Sequence, residues 1–422
     1  MTTRRSVLKA GALSAGAIGV SRALVPGWRP RVAFGAPGQT ERDILVVVFL
    51  RGGMDGLAAV APFGEGAPYY NKRPTQHLTE PGSGQRAALD LDGFFGLHRA
   101  LAPLKEIFDE GDLGIVHATG MTEPNRSHFE AMLLMEQGSN DGAAVIGTGW
   151  LARHLRTAAW QNESPFRAVG MGVMLPDSLG GTGGALALQS IADFHLRGRS
   201  DELRRMQQSL ARLYRVDAPI EPLEQQAGLV FETIDLLTDL AAQSYAPANG
   251  AHYPQSEFGQ ALEQVARLIK ADVGLEVAAI DLGGWDTHEN QGTHEGGFYY
   301  LLDALGRGLG AFYADLADRM ADITVITMSE FGRTLDENAS SGTDHGHGNA
   351  MFLMGGGVKG GVVHGRWPGL APGALSGGDL AITTDYRDVL AAVLLERVRN
   401  AAAADVFPNH TIRALDVVEP RA

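Results

Sequence analysis

Six carboxylates and imidazoles stand just past apolar, strand-like runs although they are far apart in the chain: Asp55, Asp286, His288, Glu330, His345 and His347. Asp55 follows Arg51-Gly52-Gly53-Met54. Asp286 and His288 sit in Gly284-Trp285-Asp286-Thr287-His288, Glu330 in Ser329-Glu330-Phe331-Gly332-Arg333, and the last two in Asp344-His345-Gly346-His347-Gly348. In a parallel α/β sheet the carboxyl ends of the strands share one edge, so such residues can converge on one crevice. Asp, Glu and His converging there is the donor set of a divalent-metal site in a hydrolase. The His-Gly-His run is the strongest local ligand signal; His294 is a weaker one. Each residue also has a plain reading: Asp55 can stabilise its own turn, and Glu330 can pair with Arg333.

A nucleophile is less sharply marked. Ser127 falls where the run after 113–117 enters a helical pattern, at a helix start that would favour a developing anion, and where a serine also serves as a simple cap. Arg333 has the planar fork to hold an anionic substrate group.

The elements that must position these residues are legible as buried runs. Residues 43–50, 113–117, 167–173, 275–282 and 322–328 are apolar and β-branched, as strands buried on both faces are, and 350–354 reads the same way. Helical patterns at 101–108 and 298–320 lie between them, so strand and helix alternate toward a doubly wound parallel sheet. From 200 to 271 the pattern is almost continuously helical, which predicts a helical insertion over the sheet. Residues 69–91 are polar and aperiodic, and 175–187 form a Gly-rich loop able to reach the crevice rim.

The amino terminus adds a destination. Arg4-Arg5 precedes a mildly apolar Gly- and Ala-rich run, which reads as a twin-arginine signal peptide over residues 1–35, with the body at 36–422 and export to the periplasm or the extracellular space. The twin-arginine translocase is then a partner. The run is too short and too poor in large apolar residues for a stable membrane span. With no cysteine in 422 residues, neither a disulfide nor a thiolate ligand is available, so a metal must be held by nitrogen and oxygen. Zinc comes first on ligand type, with manganese or calcium as alternatives given the carboxylates. The formal charge is −14, and the first 35 residues carry six basic groups and no acidic one, so the body is more acidic still and repels nucleic acid.

Together, Arg51-Gly52-Gly53-Met54-Asp55-Gly56-Leu57, Gly284-Trp285-Asp286-Thr287-His288, Ser329-Glu330-Phe331-Gly332-Arg333-Thr334 and Asp344-His345-Gly346-His347-Gly348 resemble the bacterial family called domain of unknown function 1501. That family is in turn distantly similar to the alkaline phosphatase and sulfatase superfamily. The resemblance implies an α/β three-layer sandwich, a mainly parallel sheet with helices on both faces, and metals at the strand ends. Asp55 would match the first-strand ligand, Ser127 the nucleophile, Asp286 and His288 the later ligands, and His345 or His347 the final histidine. Glu330 stands where the superfamily shows Asp followed by His, and Phe331 follows here. The expectation is a metal-dependent hydrolase acting on a phosphate or sulfate ester, small or carried on a glycan. The alternative is a non-catalytic envelope protein that kept the fold for binding or assembly.

Overall fold

The computed structural model describes residues 42–140, 147–158, 162, 164–182, 184–191, 233–234 and 236–421. In chain order its strands are β1 (Ile44–Arg51), β2 (Val60–Ala61), β3 (Leu89–Asp90), β4 (Gly96–Leu97), β5 (Leu113–Gly120), β6 (Ala168–Met171), β7 (Ala185–Leu188), β8 (Val277–Gly283), β9 (Ile323–Met328), β10 (Asn349–Met354), β11 (Val363–His364) and β12 (Thr384–Asp385). The main sheet runs β11-β5-β10-β9-β1-β8-β6-β7, with β12 also on β5, and β2-β4-β3 form a small antiparallel sheet.

β1 is central because it is apolar on both faces. Val46, Val48 and Leu50 enter one core while Leu45, Val47 and Phe49 enter the other, as the two-residue period of a strand dictates. The first core is closed by the helices Ala102–Glu110, Glu257–Lys270 and Gly297–Asp315. The last of these presents Phe298, Leu302, Leu305, Leu309 and Phe312 at helical spacing. The second core is closed by His128–Glu136, Trp150–Thr157 and Tyr386–Glu396. Each fully buried Val, Leu or Phe there contributes about 1.5–3 kcal/mol. The result is the mixed α/β, three-layer arrangement expected: a mostly parallel sheet between two helical layers.

β1 pairs in parallel with β8 and β9, and β8 with β6, in unbroken register. β10 alone among the main-sheet strands is antiparallel, to both β9 and β5. Residues 329–348, which join β9 to β10, contain no helix. A parallel return would need a crossover of a dozen or more residues, usually a helix, whereas a chain that stays at one edge comes back antiparallel. The carboxyl ends of β1, β5, β8 and β9 therefore share an edge with the amino end of β10.

One expectation changes. The 175–187 stretch is not all loop: it holds a 3-10 turn at Asp177–Leu179, and its end is β7, paired in parallel with β6. The segment 1–35 lies outside the described residues, as do 200–232 and 235 of the proposed insertion at 200–271. Its described end, the Ser256-capped helix Glu257–Lys270, packs directly on the sheet through Phe258, Leu262 and Val265. Among the described residues no helix is long and apolar enough to cross a membrane.

Candidate metal centre

The shared edge gathers four side chains from three connections. The β8 end supplies Asp286 and His288, and the link into β10 supplies His345. The segment after β5 supplies His128, the first residue of the helix His128–Glu136. The candidate ligand atoms of His128, Asp286 and His345 all lie within 4.8 Å of one another. His288 adjoins them, its Nε2 being 3.0 Å from Asp286 Oδ1 and 2.9 Å from His345 Nε2. Asp286 Oδ1 is the hub, 3.2 Å from His128 Nε2 and 3.1 Å from His345 Nε2.

Each imidazole is fixed by its other nitrogen. His128 Nδ1 lies 2.6 Å from Glu330 Oε1, His345 Nδ1 2.8 Å from the Arg126 carbonyl, and His288 Nδ1 2.9 Å from Asp344 Oδ1. A carbonyl or an ionised carboxylate only accepts, so in all three rings Nδ1 carries the proton and donates, and a neutral ring then has its lone pair on Nε2. The three Nε2 lone pairs and the Asp286 carboxylate thus face one another at hydrogen-bond distance. Lone pairs so placed repel unless positive charge lies among them.

Protons supply that charge only in part. The hydrogen bond to Glu330 is the main reason His128 is held above its ordinary range, against burial and with help from Asp286. Burial pushes His345 below it despite its bonds to Arg126 and Asp286. Burial alone would raise the Asp286 carboxyl, but Arg333, His345 and His128 overcome it and hold that group well below the carboxylate range. His128 Nε2 is buried, and although close to Asp286 it is misaligned for a hydrogen bond, so it has no partner among the described residues. A divalent cation among His128 Nε2, the Asp286 carboxylate and His345 Nε2 would satisfy these atoms together. Imidazole nitrogen with one carboxylate suits zinc or manganese, and rings anchored through Nδ1 to a carboxylate or carbonyl are how metal-binding histidines are oriented.

The other expected residues are placed differently. Asp55 is fully buried. It caps the short helix Gly56–Ala59 and meets Arg73 Nη1 at 2.6 Å and Gln291 Nε2 at 2.8 Å, apart from the cluster. Glu330, also fully buried, faces His128 and accepts from Gly52 N at 2.8 Å, so it stands behind the His128 ring rather than among the clustered atoms. Arg333 is buried and donates to the carbonyls of Gly52, Gly53, Trp285 and Thr343 and to Asp286 Oδ1 at 2.8 Å, an arrangement that holds Asp286. Arg333 thus pairs with Asp286, and Glu330 with His128. The His347 ring is buried outside the cluster, and burial lowers its proton affinity, with Arg126 adding to the effect. Ser127 is the N-cap residue of the helix that begins with His128; its hydroxyl is exposed and does not cap. His294 is partly buried and held low by burial, away from the centre.

The sequence reading missed His128. Its signal was its place in Asn125-Arg126-Ser127-His128, between the end of β5 and a helix start. Gly52 explains the close meeting of β1 and β8. It has φ +118°, and a Cβ there would lie 2.7 Å from Asp286 N. A cavity of about 360 Å³ opens at the same edge, lined by Arg51, Glu136, Asp177, Asp281, Val173 and Met174 among others, and none of the cluster residues line it.

The chain belongs to the family described as protein of unknown function (DUF1501), whose profile matches residues 42–387. Among curated proteins none matches its sequence. Solved structures similar to it include the PsFucS1 sulfatase from Pseudoalteromonas sp. (10% identity, 89% of this chain and 71% of that one, TM-score 0.38). Another is Ps i-CgsB in complex with k-i-k-neocarrahexaose (9% identity, 84% and 71%, TM-score 0.34). A third is the lipoteichoic acid synthase LtaP from Listeria monocytogenes (9% identity, 81% and 74%, TM-score 0.29).

Proposed function

We propose that this protein is a metal-dependent hydrolase of phosphate or sulfate esters, exported by the twin-arginine route to the periplasm or beyond. The observation that carries the metal reading is the set of three imidazoles, each tied at Nδ1 to an acceptor, whose Nε2 atoms are turned on Asp286. His128, His288, His345 and Asp286 would hold the ion. When bound, it supplies Lewis acidity toward an anionic ester and draws down the charge of the leaving oxygen.

The chain's own residues do the rest. Arg333 fixes the Asp286 carboxylate and keeps it ionised, and Glu330 orients His128. Ser127 directly precedes His128 and has an exposed hydroxyl not spent on capping, which makes it the candidate nucleophile, with solvent water as the other. Export rests on Arg4-Arg5 and the run after it, and the ester class rests on the family resemblance together with the donor set. The test is a panel of aryl phosphate, phosphodiester and sulfate substrates, given to protein loaded with zinc or manganese and to its Asp286→Asn and Ser127→Ala variants. Turnover lost in both supports a serine route. Turnover lost only in Asp286→Asn supports attack by water, and absence of turnover on every ester contradicts the proposal.

A further inference from the structure

The centre needs a cation that meets the substrate's anionic group, and the arginines at this edge differ in what they have left to give. Arg333 and Arg73 are buried and committed, one to Asp286 and carbonyls, the other to Asp55. Arg51 is shared by Glu136 and Asp281. Arg126 is 55% exposed and, among the described residues, is engaged through Nη2 with one carboxylate, Asp379.

Asp379 is itself buried, so the guanidinium is anchored on one side and open on the other. It is also tied to the centre by its own backbone, since the Arg126 carbonyl receives Nδ1 of His345. On the far side, Leu380, next to Asp379, accepts from Gly348 N at 2.9 Å. The Arg126 and Asp379 pair therefore spans the loop that carries His345. An exposed arginine ordinarily loses side-chain freedom when it binds; one already held by a fixed carboxylate has lost part of it beforehand. The protein as a whole is acidic, at −14, so an anion approaching this edge depends on local positive charge.

We infer that Arg126 is the anion subsite of the centre, receiving the non-bridging oxygens of a phosphate or sulfate group through the side of its fork that Asp379 leaves open. The inference rests on the proposed function, and its test separates the two. Inorganic phosphate and sulfate are titrated calorimetrically into full-length protein with and without added zinc, for wild type, Arg126→Met and Asp379→Asn, with metal content measured on the same samples. The expected result is phosphate binding weakened at least tenfold in Arg126→Met with metal content unchanged, and weakened less in Asp379→Asn, which loosens the guanidinium without removing it. Equal phosphate binding in wild type and Arg126→Met would overturn the subsite while leaving the metal centre standing. Joint loss of metal and phosphate would also overturn it, because Arg126 would then act only by holding the His345 loop. Phosphate binding by metal-free wild type that is lost in Arg126→Met would support the subsite and contradict the metal reading.

Discussion

Replacing Glu330 by glutamine asks whether the carboxylate behind His128 sets the strength of the centre. The fully buried Oε1 accepts from both Gly52 N at 2.8 Å and His128 Nδ1 at 2.6 Å, and Oε2 lies 3.4 Å from Ser329 Oγ. Glutamine keeps the shape and the shared acceptor oxygen and removes the charge. A hydrogen bond to a charged group is worth about 1.5–3 kcal/mol and a neutral one about 0.5–1.5 kcal/mol, so His128 loses on the order of 1–1.5 kcal/mol of support. Every 1.4 kcal/mol is about tenfold in affinity, and loss of such outer carboxylates weakens metal sites by about 10–100-fold. Zinc affinity of Glu330→Gln, read by competition with a chromophoric chelator, is therefore expected to fall by roughly tenfold with stoichiometry unchanged. Affinity equal to wild type would refute the orienting role. Complete loss of the ion in a folded variant would make Glu330 a direct ligand instead.

Asp55→Asn leaves the Arg73 charge buried without its counterion, and breaking such a pair costs about 3–5 kcal/mol. Urea denaturation should show that loss while metal per folded molecule stays at the wild-type level. Gly52→Ala should weaken metal binding and stability together, because the new methyl must enter the space held by the backbone of Trp285 and Asp286 and φ +118° is strained for alanine; the strain alone is about 1–3 kcal/mol. His117 is buried, and burial lowers it to about 4. The native state thus refuses a proton that the unfolded chain accepts near 6.5, so this contribution is intact above that pH and lost as pH falls toward 4. Comparing stability at pH 7 and pH 5 by denaturant melts, the acid-induced loss should be about 2 kcal/mol smaller in His117→Gln than in wild type.

The elements that position the site were legible because buried strands announce themselves: 43–50, 275–282 and 322–328 lie within a residue or two of β1, β8 and β9. The direction of β10 was not legible, since an apolar run has no polarity; it follows from a helix-free link. β7 hid in an Ala- and Leu-containing stretch beside many glycines, where no β-branched signal marks a strand. At the site, Asp286, His288 and His345 are brought together as their strand-end positions suggested. His128 was overlooked because it reads as an ordinary helix residue, and its ring is oriented by Glu330, 202 positions away. The partner of Asp55 was equally unreadable, because Arg73 lies in the aperiodic 69–91 stretch, where no pattern predicts which way a side chain turns.

The most direct test of the metal centre is elemental analysis of wild-type protein purified without chelator or histidine tag, beside Asp286→Asn, His128→Ala and His345→Ala. The account predicts a bound divalent ion, zinc or manganese, in the wild type and its loss from each folded variant. A folded wild type free of metal, or variants that keep the ion, would contradict it.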